Sequence, residues 1–362
     1  MVHLGIPEGG RPGVQPAVPG IGVCAAATSG GSTGVLFPSV ERQSRRLEGV
    51  PVNPQSTVVE AARPLAPHQH PGRKEPGRGP GALLRRAPLV SFFVLAFALS
   101  WLAWTPYILS HNGIGAWNVT FPGGDLGSQL LGVLPGAYLG PIASALTVTV
   151  ACEGREGLRS WRRRMMRFKV GWFWYLVVVV SVPAALTLAT TALTEQSPVM
   201  PSAAVLAAFL PGLVLQMITT GLAEEPGWRE FAMPRMQRRY GPLLATVVVG
   251  VLWGAWHLPL FLTDWGGPAH GITPVAEFMA TTLAFSFVMT WVFNRTGESM
   301  PLVMLTHTSV NNFISTAWSD MFPHTDAAYG SHAFLVSSFA AALIILVATR
   351  GRLGTGRATP LR

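Results

Sequence analysis

The chain has 362 residues, of which 49% are hydrophobic and only 12% are Asp, Glu, Lys or Arg, with a mean hydropathy of +0.37. A soluble domain carries about 25% charged residues, so this composition excludes that class and points to a membrane protein. The net charge of +9 does not argue for a nucleic-acid partner, because the arginines cluster in short segments between apolar runs, as the positive-inside rule requires.

Residues 1–87 form a tail rich in Pro, Gly and Arg with no apolar period. Such a segment cannot bury enough surface to offset the entropy of ordering, and it is expected to be disordered. Two cysteines, Cys24 and Cys152, cannot make a disulfide framework or a cysteine zinc cluster. Cys152 reads as a packed small residue.

Eight apolar runs follow and define a membrane domain over 88–349. They are Pro88–Leu109, Leu130–Cys152, Trp172–Leu193, Val205–Leu222, Pro242–Leu262, Val275–Asn294, Met300–Ala317 and Ala333–Thr349. Most approach the roughly 20 residues needed to cross about 30 Å of hydrocarbon, and the last two are the shortest. The expected fold is an all-α, polytopic transmembrane helix bundle of about eight spans in the plasma membrane. Arg85 and Arg86 precede the first run, seven basic residues lie between Arg155 and Lys169, and Arg235, Arg238 and Arg239 precede the fifth. Arg295 precedes the seventh, and residues 350–362 form a basic tail. The intervening loops 110–129, 194–204, 263–274 and 318–332 contain no Lys or Arg. This alternation predicts that both termini are cytoplasmic. Trp172, Phe173, Trp174 and Tyr175 open the third run as an interfacial belt. Arg155–Val170 reads equally as an amphipathic helix in the headgroup plane or as a solvated basic loop.

Chemistry enters at three places. The fourth run leads into Glu224 and Glu225, with Arg229 four residues beyond. The fifth carries Trp253-Gly-Ala-Trp-His257 and the seventh His307-Thr-Ser-Val-Asn311. Ionisable groups at membrane depth are costly to place and mark candidate functional sites. Each of these pairs is spaced i, i+4, so its members share one helix face.

The likeliest turn between the fourth and fifth runs is Tyr240–Gly241–Pro242. Glu224 lies 16 residues before Tyr240 and His257 lies 17 after it. In an antiparallel hairpin those two side chains sit at the same level. Residues 229–239 are expected to project in part into cytosol as amphipathic helix. Pro226 lacks an N–H to bond the Leu222 carbonyl, which predicts a kinked or broken helix beside Glu224.

The residue types suit hydrolysis. A desolvated Glu224 can take a proton from water shared with His257. His307 and the Asn311 amide can donate to a developing oxyanion. Glu225 can pair with Arg229 and hold the helix face. Glu224, His257 and His307 are also a conceivable zinc set, although no HExxH helix is present. Membrane Glu, His and Arg build proton-coupled transporters too, but internal repeats are not evident. A non-catalytic scaffold or immunity protein of the same fold is the third reading.

These motifs resemble those of the CPBP intramembrane protease family, which includes CAAX proteases and bacteriocin-processing (Abi) proteins. Glu224-Glu225-Pro-Gly-Trp-Arg229 matches EExxxR, Trp253–His257 matches FxxxH with Trp in place of Phe, and His307–Asn311 matches HxxxN. The resemblance covers about residues 88–349. It implies an eight-helix intramembrane endopeptidase acting on a membrane-associated protein or peptide, with Glu224 and His257 activating water and His307 and Asn311 holding the oxyanion. No cofactor is expected from it, with zinc as the alternative.

Overall fold

The computed structural model describes residues 80–267 and 271–355. Residues 1–79 of the tail expected to be disordered lie outside the described residues, as does the end of the basic C-terminal tail, while the end of the N-terminal tail, Pro80–Arg86, is helical. The described chain is all helical. A short helix α1 (Pro80–Arg86) leads into α2 (Pro88–Leu109), then α3 (Gly124–Ala137) and α4 (Ala143–Met165), joined by a π-turn at Tyr138–Ile142. Then come α5 (Trp172–Thr194), α6 (Ala203–Gln216), α7 (Leu222–Glu225) and α8 (Met233–Trp256). Further π-turns at Met217–Gly221 and Pro226–Ala232 separate α6 from α7 and α7 from α8. The chain ends with α9 (Ile272–Arg295), α10 (Met300–Asn312), the short α11 (Ser319–Met321) and α12 (Ala328–Thr349).

This is a multi-pass membrane protein. Six continuous helical stretches are long and apolar enough to span a bilayer, and each expected run has a helix in the fold. The 60-residue stretch Ala203–Leu262 contains both the fourth and fifth runs. It turns at Gly241, whose φ of 76° and ψ of 170° lie outside helical space. That positive φ suits glycine because no Cβ obstructs it. The outward faces of α2 and α12 are bare apolar side chains, among them Leu102, Leu343 and Val347, as a lipid-facing surface should be.

The seventh run is different in kind. Every residue of α10 except Leu305 is buried. This helix carries Thr306, His307, Thr308, Ser309, Asn311 and Asn312, polar groups that lipid cannot solvate. It therefore packs inside the bundle against α5, α6 and α9. Its low apolarity follows from that position, since its surroundings are protein.

Of the segment 229–239, expected to project in part into cytosol, residues 229–234 and Met236 are buried in the bundle, Arg229 and Phe231 at 0% exposure, while Arg238 and Arg239 are exposed. The cause is α4, which packs over this stretch and ties it down with charge pairs. Arg164 bonds Glu230 at 2.7 Å and Glu298 at 3.0 Å, and Arg235 pairs with Glu153. At Pro226 the α-helix stops, as expected, and gives way to a π-turn. The backbone runs on through π-turns, which absorb the missing N–H by widening the coil. The Ile218 carbonyl, in the first of these π-turns, accepts the Tyr138 hydroxyl at 2.7 Å. The open question at Arg155–Val170 resolves mainly as helix: α4 kinks at Gly154 (φ 58°, ψ −139°) and continues to Met165.

Gly227 sets how closely these elements approach. A Cβ there would lie 2.5 Å from Pro141 Cβ and 2.8 Å from its carbonyl carbon. The absent side chain lets the π-turn after Glu225 press directly on the π-turn between α3 and α4.

Candidate active site

The site begins at α7, a single turn between two π-turns, where Glu224 (7% exposed) and Glu225 (0%) are both buried. Successive residues on a helix point about 100° apart, so the two carboxylates face different neighbours.

Glu224 faces α8. Its Oε2 accepts a hydrogen bond from Trp253 Nε1 at 2.8 Å and lies 3.9 Å from His257 Nε2. The hairpin register therefore brings the first glutamate and this histidine together as expected. The His257 tautomer also follows from its surroundings. Nδ1 lies 2.8 Å from the Trp253 carbonyl, which can only accept, so the proton is on Nδ1. Nε2 of the neutral ring is then an acceptor aimed towards Glu224. A gap of 3.9 Å between two acceptors is too wide for a direct hydrogen bond and suits a donor held between them. Aromatic rings fix the imidazole: Trp265 stacks on it at 5.4 Å and Phe278 meets it edge-on at 5.0 Å.

Glu225 faces the other way. As expected it pairs with Arg229, with Oε2 and Nη1 3.4 Å apart and both side chains fully buried. The contact is ionic, since neither atom has a hydrogen-bond partner. Sequence reasoning missed the second contact: Glu225 Oε1 lies 2.7 Å from His307 Nδ1. The carboxylate thus spans a guanidinium and an imidazole. Arg229 is held further by Ser286, which accepts from Nη2 at 3.1 Å, and by the Trp253 ring, 4.1 Å below its Cζ.

Trp253 thereby joins the two halves. Its edge donates to Glu224, its face supports Arg229, and its ring stands perpendicular to His307 at 5.2 Å. The motif spacing shows an aromatic at this position, but only the fold shows what an indole N–H does there.

A buried chamber of about 40 Å³ reaches the site from the α3 side. Its walls include Glu224, His257, Trp256, Gln129, Thr219 and Thr220. That volume admits water but not a folded ligand. His307 and Asn311 are not among its walls. Both are buried at 6% exposure on neighbouring turns of α10. The sequence-derived constellation is therefore brought together in two parts: Glu224 and His257 on the chamber, and His307 against Glu225 behind them.

Among the described residues no group of three or more His, Cys, Asp or Glu side chains is gathered as a metal-binding set.

Residues 206–313 match the family model described as type II CAAX prenyl endopeptidase Rce1-like. The match is a similarity over 108 of the 362 residues. The matched segment holds all three motifs of the site. The chain is also 26% identical over 115 residues to a protein named CAAX prenyl protease 2 from Methanococcus maripaludis. That alignment covers 28% of this chain and 39% of the relative, so the chain spans well under half of the curated protein it matches. The Rce1-like segment thus comprises α6 to α10, and the first three long helices supply Gln129 and the cover over Glu230 from outside it.

Proposed function

We propose that the chain is a CAAX-type intramembrane endopeptidase of the cell membrane, hydrolysing a peptide bond of a membrane-associated or CAAX-like protein with water activated by Glu224 and His257. The observation that carries this reading is the pair of acceptors, Glu224 Oε2 and His257 Nε2, 3.9 Å apart on the wall of a water-sized chamber. A water lodged between them donates one hydrogen to each. The name of the curated relative supports the substrate class.

In this reading the water oxygen attacks the scissile carbonyl carbon and its proton passes to Glu224. The tetrahedral oxyanion is stabilised by donors from α10. Collapse breaks the C–N bond, and the proton on Glu224 goes to the leaving amine. Glu225 has a definite part. With Nδ1 directed at the Glu225 carboxylate, His307 presents a donor at Nε2 only when both ring nitrogens carry a proton. The oxyanion role of His307 therefore depends on Glu225. Asn311, one turn further along α10, supplies an amide that donates whatever the charge state.

The test is cleavage in proteoliposomes of an internally quenched farnesylated CAAX peptide, alongside comparative membrane peptidomics. Wild type should release products that Glu224→Gln and His257→Ala do not, with turnover lower by about 10²–10⁴ in each variant. Identical peptidomes and no cleavage difference between wild type and Glu224→Gln would refute the proposal.

A further inference from the structure

A protease whose reacting groups lie at membrane depth must hold its own water, because lipid supplies none. The chamber beside Glu224 contains one side chain that the proposed hydrolysis leaves unused. Gln129, on α3, is 3% exposed and lines the chamber, and its Oε1 accepts no hydrogen bond from the protein. Turning the amide over would place a donor in the same position and leave it equally orphaned. An unpartnered carboxamide in a membrane protein costs stability, so it needs a partner that the fold does not provide.

The opposite wall shows what kind of partner. Thr219 and Thr220 donate their hydroxyl hydrogens back to the Leu215 carbonyl and to Gln216 Oε1, both at 2.9 Å. Each hydroxyl oxygen keeps lone pairs for another donor. With Glu224 and His257, five polar side chains surround a space of about 40 Å³. Buried water takes two to four such partners, and the volume matches water better than any part of a peptide.

We propose that Gln129 is a water-positioning residue. Its carboxamide, on the same chamber as Thr219 and Thr220, holds water beside Glu224 and His257, and so supplies the hydrolytic site with its nucleophile. This rests on the peptidase reading for its purpose, but the water site itself can be tested separately.

The experiment uses the full chain in proteoliposomes and compares wild type with Gln129→Met, an apolar replacement of similar length. One arm is radiolytic hydroxyl-radical footprinting, in which bound water oxidises adjacent side chains, read by mass spectrometry at Trp256 and Trp104. The other arm is steady-state cleavage of the quenched farnesylated CAAX peptide, with thermal stability measured in parallel. The expected result is several-fold less oxidation at both tryptophans, a kcat about ten-fold lower, KM within two-fold of wild type, and thermal stability unchanged, because Gln129 Oε1 makes no hydrogen bond to the protein. Oxidation unchanged from wild type overturns the proposal. So does a change confined to KM, which would make Gln129 a substrate contact, or a loss of thermal stability matching the loss of activity, which would make it structural. Should wild type and Glu224→Gln cleave equally, the peptidase reading fails, and the footprint still decides whether Gln129 holds water.

Discussion

Trp253 Nε1 donates a 2.8 Å hydrogen bond to Glu224 Oε2, the oxygen that also lies 3.9 Å from His257 Nε2. The resembling family has phenylalanine at this motif position, and a phenyl ring cannot make this bond. The indole holds the carboxylate in one rotamer, with Oε2 directed at the histidine, while its face carries Arg229.

Trp253→Phe separates these roles. The aromatic face under Arg229 is kept and the donor to Glu224 is lost. We expect kcat to fall about ten-fold with KM unchanged, since a hydrogen bond to a charged group contributes about 1.5–3 kcal/mol. Steady-state kinetics on the quenched peptide checks this, and an unaltered kcat would show that Glu224 needs no such orientation.

The two glutamates should fail in different ways. Glu224→Gln removes the proposed base and should abolish turnover while the protein stays folded. Glu225→Gln leaves Arg229 fully buried without its counter-charge, which typically costs about 3–5 kcal/mol. It should lower the thermal midpoint markedly yet retain more turnover than Glu224→Gln at low temperature, because a glutamine oxygen can still accept from His307 Nδ1. Thermal melts and turnover measured on both variants decide it; equal stability would mean that the Glu225–Arg229 pair holds nothing together.

We propose that turnover needs no resident metal. Activity should survive dialysis against a strong chelator, and the purified protein should hold no stoichiometric metal by elemental analysis. Activity that disappears with chelation and returns with zinc would make Glu224 a ligand and overturn its assignment as a free base.

Both termini are expected in the cytoplasm. Reporter fusions after Thr194, Pro268 and Pro323 should report outside, and one after Arg350 inside. A cytoplasmic signal at Pro268 would put both ends of α8 on the same side of the membrane and undo the charge alternation on which the orientation rests.

Much of this protein was legible in one dimension. Apolar run length and the placement of arginine marked the helices of a membrane bundle, because a bilayer demands about 20 apolar residues per crossing and hydrogen-bonded backbone throughout. Counting residues either side of Gly241 was enough to bring Glu224 beside His257, since helical rise is constant and an antiparallel pair shares its register. Other relationships belong to tertiary structure alone. The Glu225–His307 contact spans 82 residues and the Trp253–Glu224 bond depends on how α8 is rotated against α7. Burial of 229–234, the first half of the segment 229–239 expected to project in part, depends on α4 folding over it with Arg164 against Glu230. Gln129 carries no motif at all, and what distinguishes it is that its neighbours leave its carboxamide oxygen unbonded. Periodicity along a helix specifies which residues share a face; which neighbour that face meets is set by side-chain packing between helices distant in sequence, and no local spacing encodes it.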